Sequence, residues 1–134
     1  MVPQKLHKNE RKNENTHQHQ SQTQNPKKGL LKITPLGGLG EVGKNLTVYE
    51  YENDIIIVDM GFMFPSDEML GVDYLIPDIS YLEDKKDKIR GILITHGHED
   101  HIGAIPYLWN KLSVPIYATK LTVGLIESKM SEFR

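Results

Sequence analysis

The sequence predicts an α/β fold in which helices cover a β-sheet. Its 134 residues match the length of one small domain. Strand-like segments come first in the part of the chain that carries apolar residues, and strand-like and helix-like segments alternate after residue 80. Strands that come first and then alternate with helices are typical of a sheet packed against helices.

Five strands are predicted from short apolar or alternating runs that are bounded by turn residues. They cover residues 30–34, 46–51, 55–58, 92–94 and 115–117. Pro35 and the glycines after it are expected to end the first strand. The turn at residues 52–54 predicts a hairpin, whose second strand is apolar enough to be buried on both faces, and the fourth strand is also predicted to be buried. Residues 61–78 contain two prolines and two glycines, which predicts a long, potentially functional loop.

Three helices complete the predicted elements. They cover residues 80–88, 102–112 and 119–133. Ser80 is the expected cap of the first helix, and Pro106 is tolerable in the first turn of the second. The third helix is expected to carry Leu121, Leu125 and Met130 on one side.

Residues 1–28 differ from the rest of the chain in composition. They carry six basic and two acidic residues, so their formal charge is +4, whereas the remainder carries −6. They are rich in Asn, Gln and His and have almost no large apolar side chains, so they cannot bury enough surface to offset the entropy of ordering. We therefore expect a disordered basic tail at 1–28 and a folded region at 29–134. The tail is either a contact to nucleic acid or a solubilising extension.

Cysteine is absent from the chain, which excludes disulfides, thiolate metal ligands and a cysteine nucleophile. The start of the chain lacks the apolar segment of a signal peptide, and no stretch approaches the roughly 18 apolar residues of a membrane span. We therefore expect a cytoplasmic protein with no membrane partner.

Two glycine motifs are typical of nucleotide binding but occur in the wrong context. Residues 38–43 match the dinucleotide pattern G-x-G-x-x-G, and residues 38–44 match the pattern G-x-x-x-x-G-K of a phosphate loop. Both motifs need a helix directly afterwards, because its N-terminal amides bind the phosphate. A strand pattern follows here instead, and Asn45 stands where a phosphate loop has Ser or Thr. The glycines are therefore interpreted as a tight turn between strands.

Side chains that bind metals are concentrated in the stretch ITHGHEDHIGA (residues 94–104, the histidine segment). If the segment is extended, His96, His98 and Asp100 lie on the same side, and His101 follows where the chain enters a helix. Imidazole and carboxylate ligands without thiolate suit zinc, manganese or iron. These four side chains therefore predict a metal site.

Several stretches together resemble one family. H-x-H-x-D-H after a buried strand is the signature of the metallo-β-lactamase superfamily. Longer stretches resemble the ribonuclease J family of its β-CASP branch: KITPLGGLGEVGKN, VDMGFMFP, DEMLGVDYLIPD and THGHEDHIGAIPYL. The resemblance covers about residues 31–130. It implies an αββα sandwich, of which this chain would be the N-terminal part, because further metal ligands and the β-CASP domain of the family lie downstream.

The resemblance also implies a dinuclear metal site. His96 and His98 match the ligands of one zinc ion, and Asp100 and His101 match those of a second, with manganese as an alternative metal. Asp100 is at the same time a candidate catalytic residue, and Asp59 is the other.

Two further assignments come from the same resemblance. Asp59 matches an aspartate that orients the ligand segment without binding the metal, although on its own it could be a turn residue at the end of a strand. Some relatives hold a structural calcium ion through two loop carbonyls, which match those of Leu70 and Val72.

The resemblance finally implies an activity. The family hydrolyses RNA as a 5′-to-3′ exonuclease and as an endonuclease, in RNA decay and rRNA maturation, and its members form dimers or tetramers. RNA is therefore the expected partner and substrate. The chain is expected to be inactive alone, because four ligands cannot complete two metal sites. Two alternatives remain, namely a hydrolase of another substrate class, such as a thioester or a lactam, and a non-catalytic fragment that binds metal or RNA.

Overall fold

The structure, a computed structural model, describes residues 29–133, and the predicted tail of residues 1–28 lies outside this range. The strands are β1 (Leu31–Gly37), β2 (Leu46–Tyr51), β3 (Asp54–Val58), β4 (Ile89–Leu93) and β5 (Ile116–Tyr117). The helices are α1 (Ser80–Glu83), α2 (Glu99–Ile102), α3 (Ile105–Leu112) and α4 (Lys120–Glu132), with a 3₁₀ turn at Lys86–Lys88. The expected α/β fold is confirmed. None of the helices in the described range is long and apolar enough to cross a membrane.

The five strands form one sheet in the order β1-β2-β3-β4-β5. β1, β2 and β3 pair in antiparallel fashion, which confirms the predicted hairpin, whereas β3, β4 and β5 are parallel. The C-terminal ends of β3 and β4 therefore meet at the same edge of the sheet. There the Asp59 N–H donates to the Leu93 carbonyl at 2.9 Å. The histidine segment starts at this edge.

The two faces of the sheet differ in burial. One face supplies the core through side chains such as Ile57 and Ile92, which are fully buried in a cluster to which all four helices contribute. On the other face Ile56 is 40% exposed and Leu93 is 42% exposed. The expectation that the third and fourth strands are buried throughout is therefore wrong for the part of the chain that the structure describes, because its helices cover one face.

The first strand is longer than predicted. β1 continues through Pro35 to Gly37, with a shift of register between these two residues. Pro35 is tolerated because β1 is the edge strand, where a missing N–H need not break the ladder. Residues 38–45 then connect β1 to β2 without a helix, which confirms that the glycine motifs form a turn between strands.

The predicted helix 102–112 is confirmed only from residue 105 onward, as α3, because Ile102 is the last residue of a separate helix, α2. The Ala104 N–H donates to the Met60 carbonyl at 3.0 Å rather than to a carbonyl of the preceding turn. A tertiary hydrogen bond thus interrupts the helix, and a new one starts after Ala104. Pro106 lies in the first turn of α3, as predicted.

Two other helix details differ from the expectation. The first helix ends at Glu83, and Ser80 is its first residue rather than its N-cap, which is Ile79. The Ser80 N–H donates to the Asp78 carboxylate at 2.9 Å. In α4 Thr122 and Ile126 are buried and Met130 packs against the core, whereas Leu121 and Leu125 are exposed. The predicted side of α4 is therefore wrong for Leu121 and Leu125, which do not share the side of Met130. The stripe of period four that packs against the core runs through Thr122, Ile126 and Met130.

Candidate metal centre

Three segments meet at the edge of the sheet, namely the loop before β2, the loop after β3 and the histidine segment. Backbone hydrogen bonds join them. The Asn45 N–H donates to the Asp100 carbonyl at 3.1 Å, the Gly61 N–H donates to the Asn45 carbonyl at 3.0 Å, and the Met60 N–H donates to the His101 carbonyl at 2.8 Å. The start of α2 is therefore fixed to the sheet from two sides.

Gly61 permits the closest of these approaches. A Cβ atom at this position would lie 1.6 Å from the Asp100 carbonyl oxygen and 2.6 Å from the His101 nitrogen. Both are backbone atoms, which cannot move aside as the end of a flexible side chain could. The loop after β3 can therefore lie against α2 only because it has glycine here.

Asp59 connects the end of β3 to the histidine segment. The residue is 5% exposed, and its Oδ1 accepts a hydrogen bond from the Thr95 N–H at 2.8 Å. The Thr95 hydroxyl donates to Oδ2 at 2.9 Å, and the same oxygen lies 2.8 Å from His101 Nδ1. The carboxylate thus holds both the backbone of the histidine segment and one of its rings. Asp59 does so with a φ of +62°, which is uncommon for a residue with a side chain.

The same carboxylate determines which nitrogen of His101 is free. An ionised carboxylate only accepts hydrogen bonds, so Nδ1 donates to Asp59, and the neutral ring then has its lone pair on Nε2. This nitrogen lies 3.2 Å from Asp100 Oδ2, which is a second acceptor. The lone pairs of His101 Nε2 and Asp100 Oδ2 repel each other at this distance. A cation bound between the two atoms, or a proton on Nε2, would remove the repulsion. Asp100 and His101 therefore have the chemistry of a cation-binding pair.

A second pair of ligand atoms lies beside the first. His96 Nε2 and His98 Nδ1 are 3.0 Å apart, and the ring centroids of His96 and His101 are 4.1 Å apart. Two nitrogen ligands of a tetrahedral zinc ion lie roughly 2.0–2.1 Å from the metal and so about 3.3 Å from each other. Both pairs are close to this separation. The donor set therefore fits two neighbouring cations, with two ligands from this chain for each.

The grouping differs from the one that an extended segment predicts. Asp100 does not join His96 and His98, because His98 is the N-cap of α2 and Asp100 lies in its first turn, next to His101. Within residues 29–133, no three His, Asp or Glu side chains form a group able to hold one ion. A catalytic zinc typically has three protein ligands. Each pair would therefore need a donor from elsewhere.

Asn45 is a residue of this site that the sequence did not single out as such. Its Nδ2 donates to the Asp100 carbonyl at 3.0 Å and to Asp100 Oδ2 at 3.1 Å, and lies 3.3 Å from His101 Nε2. The only signal in the sequence was that Asn45 departs from the phosphate-loop pattern. Its partner lies 55 residues further along the chain, so the contact appears only in the folded structure.

The loop at residues 61–78 has no regular element beyond a bridge between Met63 and Leu75, as predicted. Leu70 and Val72 lie at an exposed turn of this loop, where the Val72 N–H donates to the Met69 carbonyl at 3.3 Å. The calcium site at their carbonyls stays a prediction.

The residues of this centre fall within a match to a known family. A family model described as the metallo-beta-lactamase superfamily matches residues 39–131. The chain belongs to the metallo-β-lactamase superfamily. Membership implies the use of divalent metal ions, to which the imidazole and carboxylate donors of the histidine segment are suited.

Curated relatives of this superfamily are similar over most of the chain. Ribonuclease J of Helicobacter pylori is 57% identical over 105 residues, which are 78% of this chain and 15% of that protein. Ribonuclease J2 of Bacillus subtilis is 52% identical over 103 residues, which are 77% of this chain and 19% of that protein. The chain thus spans less than a fifth of the length of these relatives. A crystal structure of DIM-1 metallo-beta-lactamase aligns with a TM-score of 0.43 and 24% identity, over 77% of this chain and 43% of that one.

Proposed function

We propose that this chain contributes one part of the metal centre of a ribonuclease of the ribonuclease J type. The observation that carries the proposal is the presence of two pairs of ligand atoms side by side at the edge of the sheet, where Asp59 holds His101 and the backbone of Thr95. The similarity to proteins named ribonuclease J supports RNA as the substrate class.

In this proposal His96 and His98 bind one divalent cation, and Asp100 and His101 bind the other. The nitrogen and oxygen donors suit zinc, with manganese as the alternative. When bound, the two cations would offset the negative charge of the phosphodiester and would lower the pKa of bound water, so that hydroxide is available as the nucleophile at neutral pH. Asp100 is the catalytic carboxylate of the set.

Asp59 supports these ligands without binding a cation. Its hydrogen bonds to Thr95 and His101 fix the backbone and the ring before substrate arrives. Partners of this kind orient metal ligands and decide which nitrogen of a histidine faces the metal.

A groove beside Asp100 supports single-stranded RNA over a thioester or a lactam. It has a volume of about 320 Å³ and is lined in part by Val42, Phe64 and Asp100. Phe64 is 65% exposed. Exposed aromatic rings stack on the bases of single-stranded nucleic acids, whatever the sequence. In this proposal Phe64 would stack on a base in the groove that Asp100 also lines.

Further parts of the proposal come from the sequence. We propose a cytoplasmic protein that acts as a 5′-to-3′ exonuclease and an endonuclease in RNA decay and rRNA maturation, as a dimer or tetramer. Residues 1–28 would add a basic contact to RNA, and the carbonyls of Leu70 and Val72 would bind a structural calcium ion. The activity itself would need donors beyond those of the described residues.

The test is turnover of a 5′-monophosphorylated single-stranded RNA by the purified full-length gene product. His98→Ala removes one ligand atom and is expected to abolish nearly all turnover. Glu83→Gln is the control, because this exposed carboxylate lies in α1, outside the ligand set and the groove, and it should retain activity.

Each of three results would contradict the proposal. Activity like that of the wild type in His98→Ala would refute the metal assignment. Hydrolysis of a thioester or a lactam, but not of RNA, would favour a hydrolase of another class. Binding of cations or RNA without any turnover would favour a non-catalytic protein.

A further inference from the structure

We propose that Asn45 is a positioning residue, which holds Asp100 in the orientation that the second cation requires. The second cation is the one assigned to Asp100 and His101, so this inference rests on the proposed metal centre. It adds a residue to that centre and predicts that the two cations depend on it unequally.

The contacts of the Asn45 amide determine its orientation. Nδ2 donates to the Asp100 carbonyl at 3.0 Å and to Asp100 Oδ2 at 3.1 Å. Both partners are acceptors only, so the amide must turn its nitrogen toward Asp100 and its oxygen away. One side chain thus holds the backbone and the carboxylate of the same residue.

Glycine at position 38 leaves room for the amide oxygen. A Cβ atom at Gly38 would lie 2.4 Å from Asn45 Oδ1, so the amide oxygen lies directly against this glycine. The Asn45 N–H donates to the Asp100 carbonyl, and its carbonyl accepts from Gly61. The residue is therefore fixed through its backbone on two sides and through its side chain on a third.

A carboxylate with one oxygen held in this way has little freedom to rotate. Without the amide, Asp100 Oδ2 would be free to leave its position 3.2 Å from His101 Nε2. Loss of such an orienting partner typically lowers metal affinity about 10- to 100-fold. The effect should be local, because the hydrogen bonds of the Asn45 side chain reach Asp100 and His101, whereas His96 and His98 are bonded to each other.

The test is a two-step titration of the metal-free, full-length gene product with zinc, and separately with cobalt, whose absorption spectrum reports the coordination of each ion. Asn45→Leu keeps the approximate shape of the side chain and removes the donor. Asn45→Ala removes the side chain and is the second variant. Both retain the backbone hydrogen bonds. Asn110→Leu is the matched control, because this exposed asparagine lies in α3, outside the site.

We expect both Asn45 variants to weaken one binding step about 10- to 100-fold and to leave the other within a factor of about two. The cobalt spectrum of the weakened step should change, and Asn110→Leu should titrate like the wild type.

Equal weakening of both steps would overturn the inference and indicate a general effect on folding, and two unchanged steps would also overturn it. If the wild type binds no cation, both this inference and the metal centre are refuted. If it binds two but does not cleave RNA, only the proposed ribonuclease activity is refuted.

Discussion

Asp59 is the residue whose hydrogen bonds make the most specific prediction. Asp59→Asn preserves the size of the side chain, and its amide oxygen can still accept from the Thr95 N–H. The amide nitrogen of the new asparagine then faces His101 Nδ1. Both groups are donors, because Nδ1 carries the proton in the wild type. The ring must therefore change its tautomer, which places a proton on Nε2 where the lone pair should face Asp100.

We expect Asp59→Asn to lower cation affinity about 10- to 100-fold with a small change in thermal stability. Calorimetric titration and a thermal melt of the same preparation separate the two effects. Unchanged cation affinity in the variant would show that Asp59 does not orient the metal ligands and acts only as a turn residue at the end of β3.

Gly61→Ala tests the contact between the loop after β3 and α2. The new Cβ would lie 1.6 Å from a backbone oxygen, so the two segments must separate. We expect a loss of about 2–3 kcal/mol in the free energy of unfolding, measured by urea denaturation. Gly124→Ala is the control, because a Cβ there meets nothing within 4 Å and lies in a helix, where alanine should stabilise by about 0.5–1 kcal/mol. Equal stability of the two variants would contradict the close packing at Gly61.

Single residues were predicted well where their chemistry is unusual. His96, His98, Asp100 and His101 stand out because imidazoles and carboxylates rarely crowd together, and the structure brings all four to one edge of the sheet. Asn45 could not be predicted in the same way, because an asparagine beside glycines is also typical of an ordinary turn.

At the scale of elements, Glu50, Tyr81 and Lys85 join β2 to α1 and the turn after it. Lys85 Nζ donates to Glu50 Oε2 at 2.9 Å, and the Tyr81 hydroxyl donates to the same oxygen at 2.7 Å. These hydrogen bonds, first that of Lys85, lower the pKa of the Glu50 carboxyl. Its pKa is thus lower in the folded than in the unfolded state. The resulting stabilisation is present above the ordinary glutamate pKa, about 4.3, and is lost as the pH falls through the folded value.

The comparison of wild type with Glu50→Gln measures this contribution. At pH 7 we expect the variant to be less stable by under about 1 kcal/mol, because the side chains are partly exposed. The difference should shrink when urea denaturation is repeated at pH values below about 4. A difference that stays constant over this range would contradict the role of the ionised carboxylate.

Helices and strands were predicted correctly where the local sequence pattern determines their bounds. The predictions were wrong where tertiary contacts determine the bounds or the buried face of a helix. The alternation in residues 46–51 matches β2 in full. The split of the helix at Ala104 follows from a hydrogen bond to Met60, and the buried face of α4 follows from packing against the core. Neither partner is visible in the sequence of the helix itself.

At the scale of the whole molecule, one face of the sheet exposes apolar side chains within residues 29–133, among them Ile56, Leu93 and Tyr117. Exposed patches of this kind favour association. We expect the isolated chain of 134 residues to bind a hydrophobic dye and to self-associate in sedimentation experiments, and Ile56→Thr with Leu93→Thr to reduce both. Leu121→Gln is the control, because it makes an exposed position on α4 more polar without changing the exposed face of the sheet, and it should leave self-association unchanged. A monomer that binds no dye would contradict an uncovered face.

The most direct test of the central claim is the number of cations that bind per chain in the full-length gene product, measured by equilibrium dialysis and elemental analysis. We predict two for the wild type. Replacing His96 and His98 with alanine should remove one cation, and replacing Asp100 and His101 should remove the other, because in the proposed centre each pair of ligand atoms binds a different ion. A wild type without bound cations, or two cations retained in either double variant, would contradict the assignment of these four side chains.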